Sequence, residues 1–192
     1  MFKSILSFGQ SFGLGFGQRS NRQVVEAVYE AIVAAARQPR FYSHWNVPDT
    51  PLGRYEMLSL HMVLFLERAR TSGPALAGLA QEVTDEFFKD VDHSLRELGI
   101  NDISMPKRMK KLAKMFYGRA QAYREALVAD DAAALAAAFA RNVQPQQPAW
   151  PEAADLAAYA RRAYAALAAQ PDAALIAGRV AFPAADRPEP TP

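Results

Sequence analysis

The sequence has 192 residues, of which 51% are hydrophobic and 22% are charged, which is enough for one globular domain with an apolar core. Its 22 basic and 20 acidic residues leave a net charge of only +2, so any electrostatic function depends on where the charges lie. The absence of cysteine excludes disulfide bonds, thiolate metal sites and cysteine nucleophiles. No apolar run reaches the roughly 18 residues that a transmembrane helix needs.

Residues 1–18 interleave phenylalanine with glycine and contain a single charged residue, Lys3. An amphipathic segment of this kind suits a membrane interface or a hydrophobic groove. We predict a flexible or membrane-associating arm, in which Phe8, Phe12 and Phe16 are the candidate membrane contacts.

Apolar residues at helical spacing predict an all-α fold, and no alternating strand pattern is present. We expect helices over 21–38, 54–71, 74–98, 104–128, 131–142 and 152–169, with a short one over 171–178. The helix over 54–71 is apolar on nearly all sides, which is typical of a central helix. Residues 39–53, rich in proline and turn formers, are expected to form an ordered loop.

Several residues mark where these helices begin and end. Ser20 and Asn21 are good caps for the first helix, and Pro39 is expected to stop it. Gly99 has the freedom to terminate the third helix, and Ser104 is a candidate cap for the fourth.

The composition divides the chain further. Residues 19–128 are predicted to form a single compact multi-helix domain, and the alanine-rich stretch 129–182 a helical extension packed on it. Residues 183–192 contain four prolines and are expected to be a disordered tail.

The third and fourth helices carry opposite charge. Residues 74–98 contain six acids and two bases, whereas 105–128 contain seven bases and one acid, a local charge of +6. Lys107, Lys111 and Lys114 share one helical face, which suits phosphates, anionic lipid headgroups or an acidic protein. Without a motif for reading bases, sequence-specific DNA binding is not expected.

No catalytic constellation stands out, so we predict a non-enzymatic protein without cofactor or metal. Asp90 and His93 are half of a di-iron pattern, but no other helix supplies the second half, which leaves a helical metalloenzyme as a weaker alternative. His61 is interpreted as a hydrogen-bonded core histidine, because no nucleophile is placed to use it. Arg54 and Glu56, near Asp49, are interpreted as a buried ion network.

A set of short motifs resembles the ubiquinol-cytochrome c chaperone family, and the resemblance covers about Val24 to Leu127. The motifs are Phe41-Tyr42, Pro48-Asp49-Thr50, Gly53-Arg54-Tyr55-Glu56, Leu60-His61, Phe87 to Asp92, Leu95-Arg96-Glu97-Leu98-Gly99, Phe116-Tyr117-Gly118-Arg119 and Tyr123. The alanine-rich end after Val128 is not characteristic of the family.

The resemblance implies a chaperone for assembly of respiratory complex III that binds newly made cytochrome b, or another membrane-protein client. A bacterial relative, cytoplasmic and peripheral to the inner membrane, is expected because no arginine-rich leader precedes the helices. The ribosome and an anionic membrane surface are further expected partners. The expected client or partner residues are Tyr42, Arg54, Lys107, Lys111, Lys114, Phe116, Tyr117 and Arg119. The alternative function is a peripheral helical protein that binds anionic lipid.

Overall fold

The computed structural model describes residues 17–185, with side chains from Asn21 onward, and every regular element in this range is a helix. The all-α prediction is confirmed. The helices are α1 Gly17–Ala36, α2 Pro39–Ser43, α3 Pro51–Arg70, α4 Pro74–Glu97, α5 Met105–Val128, α6 Ala132–Val143, α7 Ala153–Ala168 and α8 Asp172–Ile176. None of these helices is both long and apolar enough to span a membrane.

Proline opens several of the helices, because its fixed φ suits the first turn and its missing N–H is not needed there. Pro39 begins α2 rather than only stopping α1, so the prediction of a loop throughout 39–53 was wrong for its first five and its last three residues. Pro51 begins α3, three residues before the predicted start, and the Thr50 hydroxyl caps it by accepting a hydrogen bond from the Gly53 N–H at 3.1 Å.

The helix ends follow local capping chemistry. Gly99, at φ +79°, ends α4 as predicted: its N–H donates to Arg96 O, and the next N–H, of Ile100, donates to Leu95 O, which is the Schellman pattern. The first-helix caps were predicted wrongly, whereas Ser104 does stand at the N-cap position of α5. α1 already begins at Gly17, so Ser20 and Asn21 lie inside it, and the Ser104 side chain makes no cap bond to α5.

α3 is the central helix, as predicted. It packs against α1, α4, α5, α6 and α7, and residues on all its sides are fully buried, including Met57, Leu60, Leu64 and Phe65. Burial on every side explains why its sequence shows no polar stripe.

The alanine-rich half joins the same core. In α7 a stripe of buried residues faces α3: Leu156, Tyr159, Ala160, Ala163 and Leu167. One continuous apolar cluster therefore runs from Val25 to Ala185. The described chain also extends into the predicted tail, where the Ala185 N–H donates to Gln38 Oε1 at 2.6 Å; residues 186–192 of that tail lie outside the described residues.

His61 is a core histidine, as predicted. Its Nδ1–H donates to the Met57 carbonyl at 2.7 Å, and its Nε2 accepts from the Tyr159 hydroxyl at 2.7 Å. Complete burial lowers the pKa of His61 to about 4, so the ring is neutral and joins α3 to α7.

Candidate functional site: an apolar groove and a basic face

A groove of about 570 Å³ opens between α1, α2, α3, α4 and α5. We call it the apolar groove, since most of its wall is hydrocarbon. Its lining residues are Val33, Ala36, Arg37, Tyr42, Asp49, Thr50, Pro51, Leu52, Arg54, Tyr55, Leu58, Asp90, Val91, Ser94, Leu95, Glu97, Leu98 and Leu112. Two of the predicted site residues, Tyr42 and Arg54, lie here.

The α3 side of the apolar groove depends on a close backbone approach. A Cβ atom at Gly53 would lie 1.9 Å from the Pro48 carbonyl oxygen, so only glycine fits at this position. This contact folds the turn of residues 48–50 against the first turn of α3. Leu52, on the outer side of that turn, is consequently left half-exposed at the edge of the groove.

Tyrosine hydroxyls tie the walls together. Tyr42 donates to the Ala36 carbonyl at 2.9 Å, and Tyr55 donates to the Leu112 carbonyl of α5 at 2.8 Å. Burial raises the pKa of both phenols, that of Tyr55 to about 12, so both remain protonated donors near neutral pH. The groove is therefore a built surface with fixed walls.

The rim carries charges of both signs. The Arg54 Nε donates to Asp49 at 2.6 Å, and this bond holds the pKa of the Asp49 carboxyl below its usual range. Both side chains are exposed, so the pair adds little stability but leaves a guanidinium at the groove edge. The predicted buried network of Arg54 and Glu56 was wrong, because Glu56 points away from this pair into the core.

Asp90, on the groove wall, accepts a hydrogen bond from the Tyr29 hydroxyl at 2.7 Å. His93, the other half of the suggested metal pattern, instead lies 3.2 Å from Glu97 on the exposed side of α4. Among residues 17–185 no group of three potential ligands is close enough to hold a metal ion. The geometry gives the metalloenzyme alternative no support.

The outer side of α5 carries the second candidate surface. Lys107, Lys110, Lys111 and Lys114, which we call the basic face, are all exposed and lie opposite the fully buried Phe116 at helical spacing. Tyr117 is 53% exposed, with one side of its ring against Phe88. Lys107, Lys111, Lys114 and Tyr117, four of the expected partner residues, therefore lie on the surface.

Two predicted site residues of α5 are not on the surface. Phe116 packs inside the core against Phe87 and Phe88. The Arg119 side chain is only 11% exposed and holds the carboxylate of Glu56, itself 1% exposed, through two hydrogen bonds. Burial raises the pKa of Glu56, and the Arg119 guanidinium opposes that shift. Neither Phe116 nor Arg119 is available to a partner in this conformation, so both assignments were wrong.

The sequence analysis missed Leu52, Leu58, Leu95 and Leu98 as groove residues. Leu95 and Leu98 continue the apolar stripe of α4 at helical spacing, but Leu98 is 58% exposed. The detectable signal was a stripe that continues beyond the last core residue, Val91. Phe8, Phe12 and Phe16 lie outside the described residues.

Comparison with known proteins agrees with this architecture. The sequence model of the family described as ubiquinol-cytochrome C chaperone matches residues 43–182. The match thus extends through the alanine-rich half, beyond the limit of Leu127 expected from the motifs.

Two individual proteins are similar to the chain. The crystal structure of the Cbp3 homolog from Brucella abortus is 57% identical, with a TM-score of 0.84, over 89% of this chain and 94% of that one. The ubiquinol-cytochrome-c reductase complex assembly factor 1 of Xenopus laevis is 25% identical over 120 residues. That alignment covers 62% of this chain and 60% of the relative's length.

Proposed function

Since the chain belongs to the ubiquinol-cytochrome C chaperone family, we propose that it is a non-enzymatic assembly chaperone for the ubiquinol-cytochrome c reductase complex, with newly made cytochrome b as its client. The matched relative from Xenopus laevis is named as an assembly factor of that complex. The observation that carries the proposal is the apolar groove, which is open, apolar and lined by residues of five helices.

The chemistry of the apolar groove suits part of an apolar helix. A membrane-protein client exposes hydrocarbon side chains before insertion, and covering them removes apolar surface from water. Leu52, Leu95 and Leu98 offer such a surface, while Arg54 and Asp49 on the rim provide groups for the polar end of a segment. Tyr42 and Arg54 are accordingly the proposed client contacts.

Substitution of Leu52 tests this role. Leu52 is half-exposed, so Leu52→Asp should fold normally while placing a carboxylate at the groove edge. Capture of cytochrome b synthesised in the presence of the full chain should fall about tenfold or more. This is the effect expected when the complex no longer buries one leucine side chain. Ile176→Asp, at an exposed apolar position on α8, is the matched control. Equal capture by both variants and the wild type would contradict the proposal.

The basic face supports a second role, attachment to a polyanion close to the site of client synthesis. Lys107, Lys111 and Lys114 suit ribosomal RNA or an anionic membrane surface, and Tyr117 extends the same side of α5. We propose that this attachment keeps the chaperone peripheral to the membrane. In the lipid-binding alternative, Phe8, Phe12 and Phe16 insert into the bilayer.

A further inference from the structure

The loop between α4 and α5, residues 98–104, presents apolar side chains to solvent. Ile103 is 93% exposed, the most exposed large hydrophobic residue in the described chain, and Leu98 begins the same loop. A single exposed apolar residue is ordinary on a protein surface. Two exposed apolar residues on one loop that leads directly into the basic face are a more specific arrangement.

The charges around this loop are predominantly positive. From Leu98 to Lys114 the chain carries five bases, Lys107, Arg108, Lys110, Lys111 and Lys114, all exposed, and one acid, Asp102. Asp102 is paired with Arg96 of α4, and the carboxylate of the preceding acid, Glu97, lies 3.2 Å from the His93 ring, which is charged only when protonated. The lysines have no such partners among the described ion pairs and face solvent as a cluster.

We propose that the α4–α5 loop is a membrane-docking element, in which Ile103 and Leu98 enter the headgroup region of an anionic bilayer while the basic face lies on the lipid phosphates. Apolar side chains flanked by lysines are the pattern of interfacial binding, in which burial of hydrocarbon and attraction to anionic lipid act together. Each lysine close to the bilayer surface strengthens binding to the membrane, and so does Ile103 when its side chain is buried in lipid.

The apolar residues favour a bilayer over RNA as the partner. Lysines attract RNA phosphates equally well, but an exposed isoleucine gains nothing from a phosphate backbone and offers no aromatic plane for stacking bases. A bilayer, by contrast, offers both an anionic surface and a hydrocarbon region within reach of one loop.

Docking by this loop has a consequence for the apolar groove. Leu98 belongs to the loop and also lines the groove. A docked loop would therefore hold one end of the groove at the bilayer surface, where an apolar client segment leaves the chaperone. The docking proposal goes beyond client binding and does not depend on it, since it concerns lipid alone.

Vesicle flotation of the full chain tests the proposal without any client. The protein should float with vesicles of phosphatidylcholine and phosphatidylglycerol and much less with phosphatidylcholine alone. Ile103→Ser should weaken partition about tenfold, the effect of one buried isoleucine side chain. Val128→Ser, an exposed apolar position at the other end of α5, should leave it unchanged.

Charge reversal separates the basic face from overall charge. Lys107→Glu with Lys111→Glu should reduce partition about 25-fold or more, at roughly fivefold per base removed from the surface. Arg141→Glu with Arg179→Glu, which changes the net charge equally at two other exposed positions, should have a much smaller effect.

A tryptophan at the tip of the loop locates the contact. Trp45 and Trp150 are both buried, so neither should respond to vesicles. The tryptophan fluorescence emission of the Ile103→Trp variant should shift to shorter wavelength when phosphatidylglycerol vesicles are added. Flotation without that shift, or undiminished flotation of Ile103→Ser, would overturn the proposal and leave Phe8, Phe12 and Phe16 as the lipid contacts.

Discussion

Arg119 of α5 donates two hydrogen bonds to the carboxylate of Glu56 on α3, and both side chains are removed from solvent. The pair joins α3, the central helix, to α5, which carries the basic face. Since one guanidinium matches one carboxylate in both position and charge, α5 is fixed in register against α3. The pair therefore sets where the basic face points relative to the apolar groove.

Breaking this pair should destabilise the protein strongly. Arg119→Met leaves the Glu56 carboxylate buried without a partner, and we expect a loss of about 3–5 kcal/mol in the free energy of unfolding. The double variant Glu56→Leu with Arg119→Met should regain most of that loss, because no buried charge remains. Denaturant unfolding of the four proteins of this cycle measures both effects. Additive losses in the double variant would contradict a buried ion pair.

His61 should make stability dependent on pH. The folded state holds the His61 pKa at about 4, against an ordinary value of 6.5, so the unfolded chain binds the proton first as the pH falls. The contribution of His61 to the free energy of unfolding is fully present above about pH 6.5. It is lost as the pH falls towards 4, and the loss over the whole window is roughly 3 kcal/mol. His61→Gln should lack this component.

The measurement is the unfolding free energy of both proteins across that pH range. Other titrating groups act equally in the two proteins, so only the difference between their curves reports on His61. That difference should shrink steadily as the pH falls. Parallel curves would mean that His61 is not a buried neutral group.

Two helical glycines should respond to alanine in opposite directions. At Gly53 a Cβ atom would meet the Pro48 carbonyl oxygen, so Gly53→Ala must move backbone and should cost about 1–3 kcal/mol. At Gly78, inside α4, nothing lies within 4 Å, and Gly78→Ala should stabilise by about 0.5–1 kcal/mol. Thermal unfolding compares them directly; a shift of the same sign in both would show that the close approach at Gly53 is absent.

The helices were largely predictable because their apolar spacing and their capping residues indicate the same boundaries. Gly99 is an example, since the end of the apolar stripe and the glycine coincide there. α2 was missed because its five residues are too few for any periodicity, and Pro39 was interpreted only as a stop signal.

The site was less predictable because charge alone does not reveal the direction of a side chain. Arg119 was counted with the exposed bases, although it lies three residues after Phe116 and four before Tyr123, both buried, and so shares their face. Its partner, Glu56, lies 63 positions away in the sequence. The apolar groove likewise unites residues of five helices, and only tertiary packing brings Leu52 and Leu98 to the same groove.

Photo-crosslinking from the apolar groove tests the central claim most directly. A photoreactive residue at position 52, on the groove edge, should form a crosslink to newly synthesised cytochrome b in growing cells, whereas one at position 176, exposed on α8, should not. A crosslink from position 176 with none from position 52 would contradict the account, because the client would then bind outside the apolar groove.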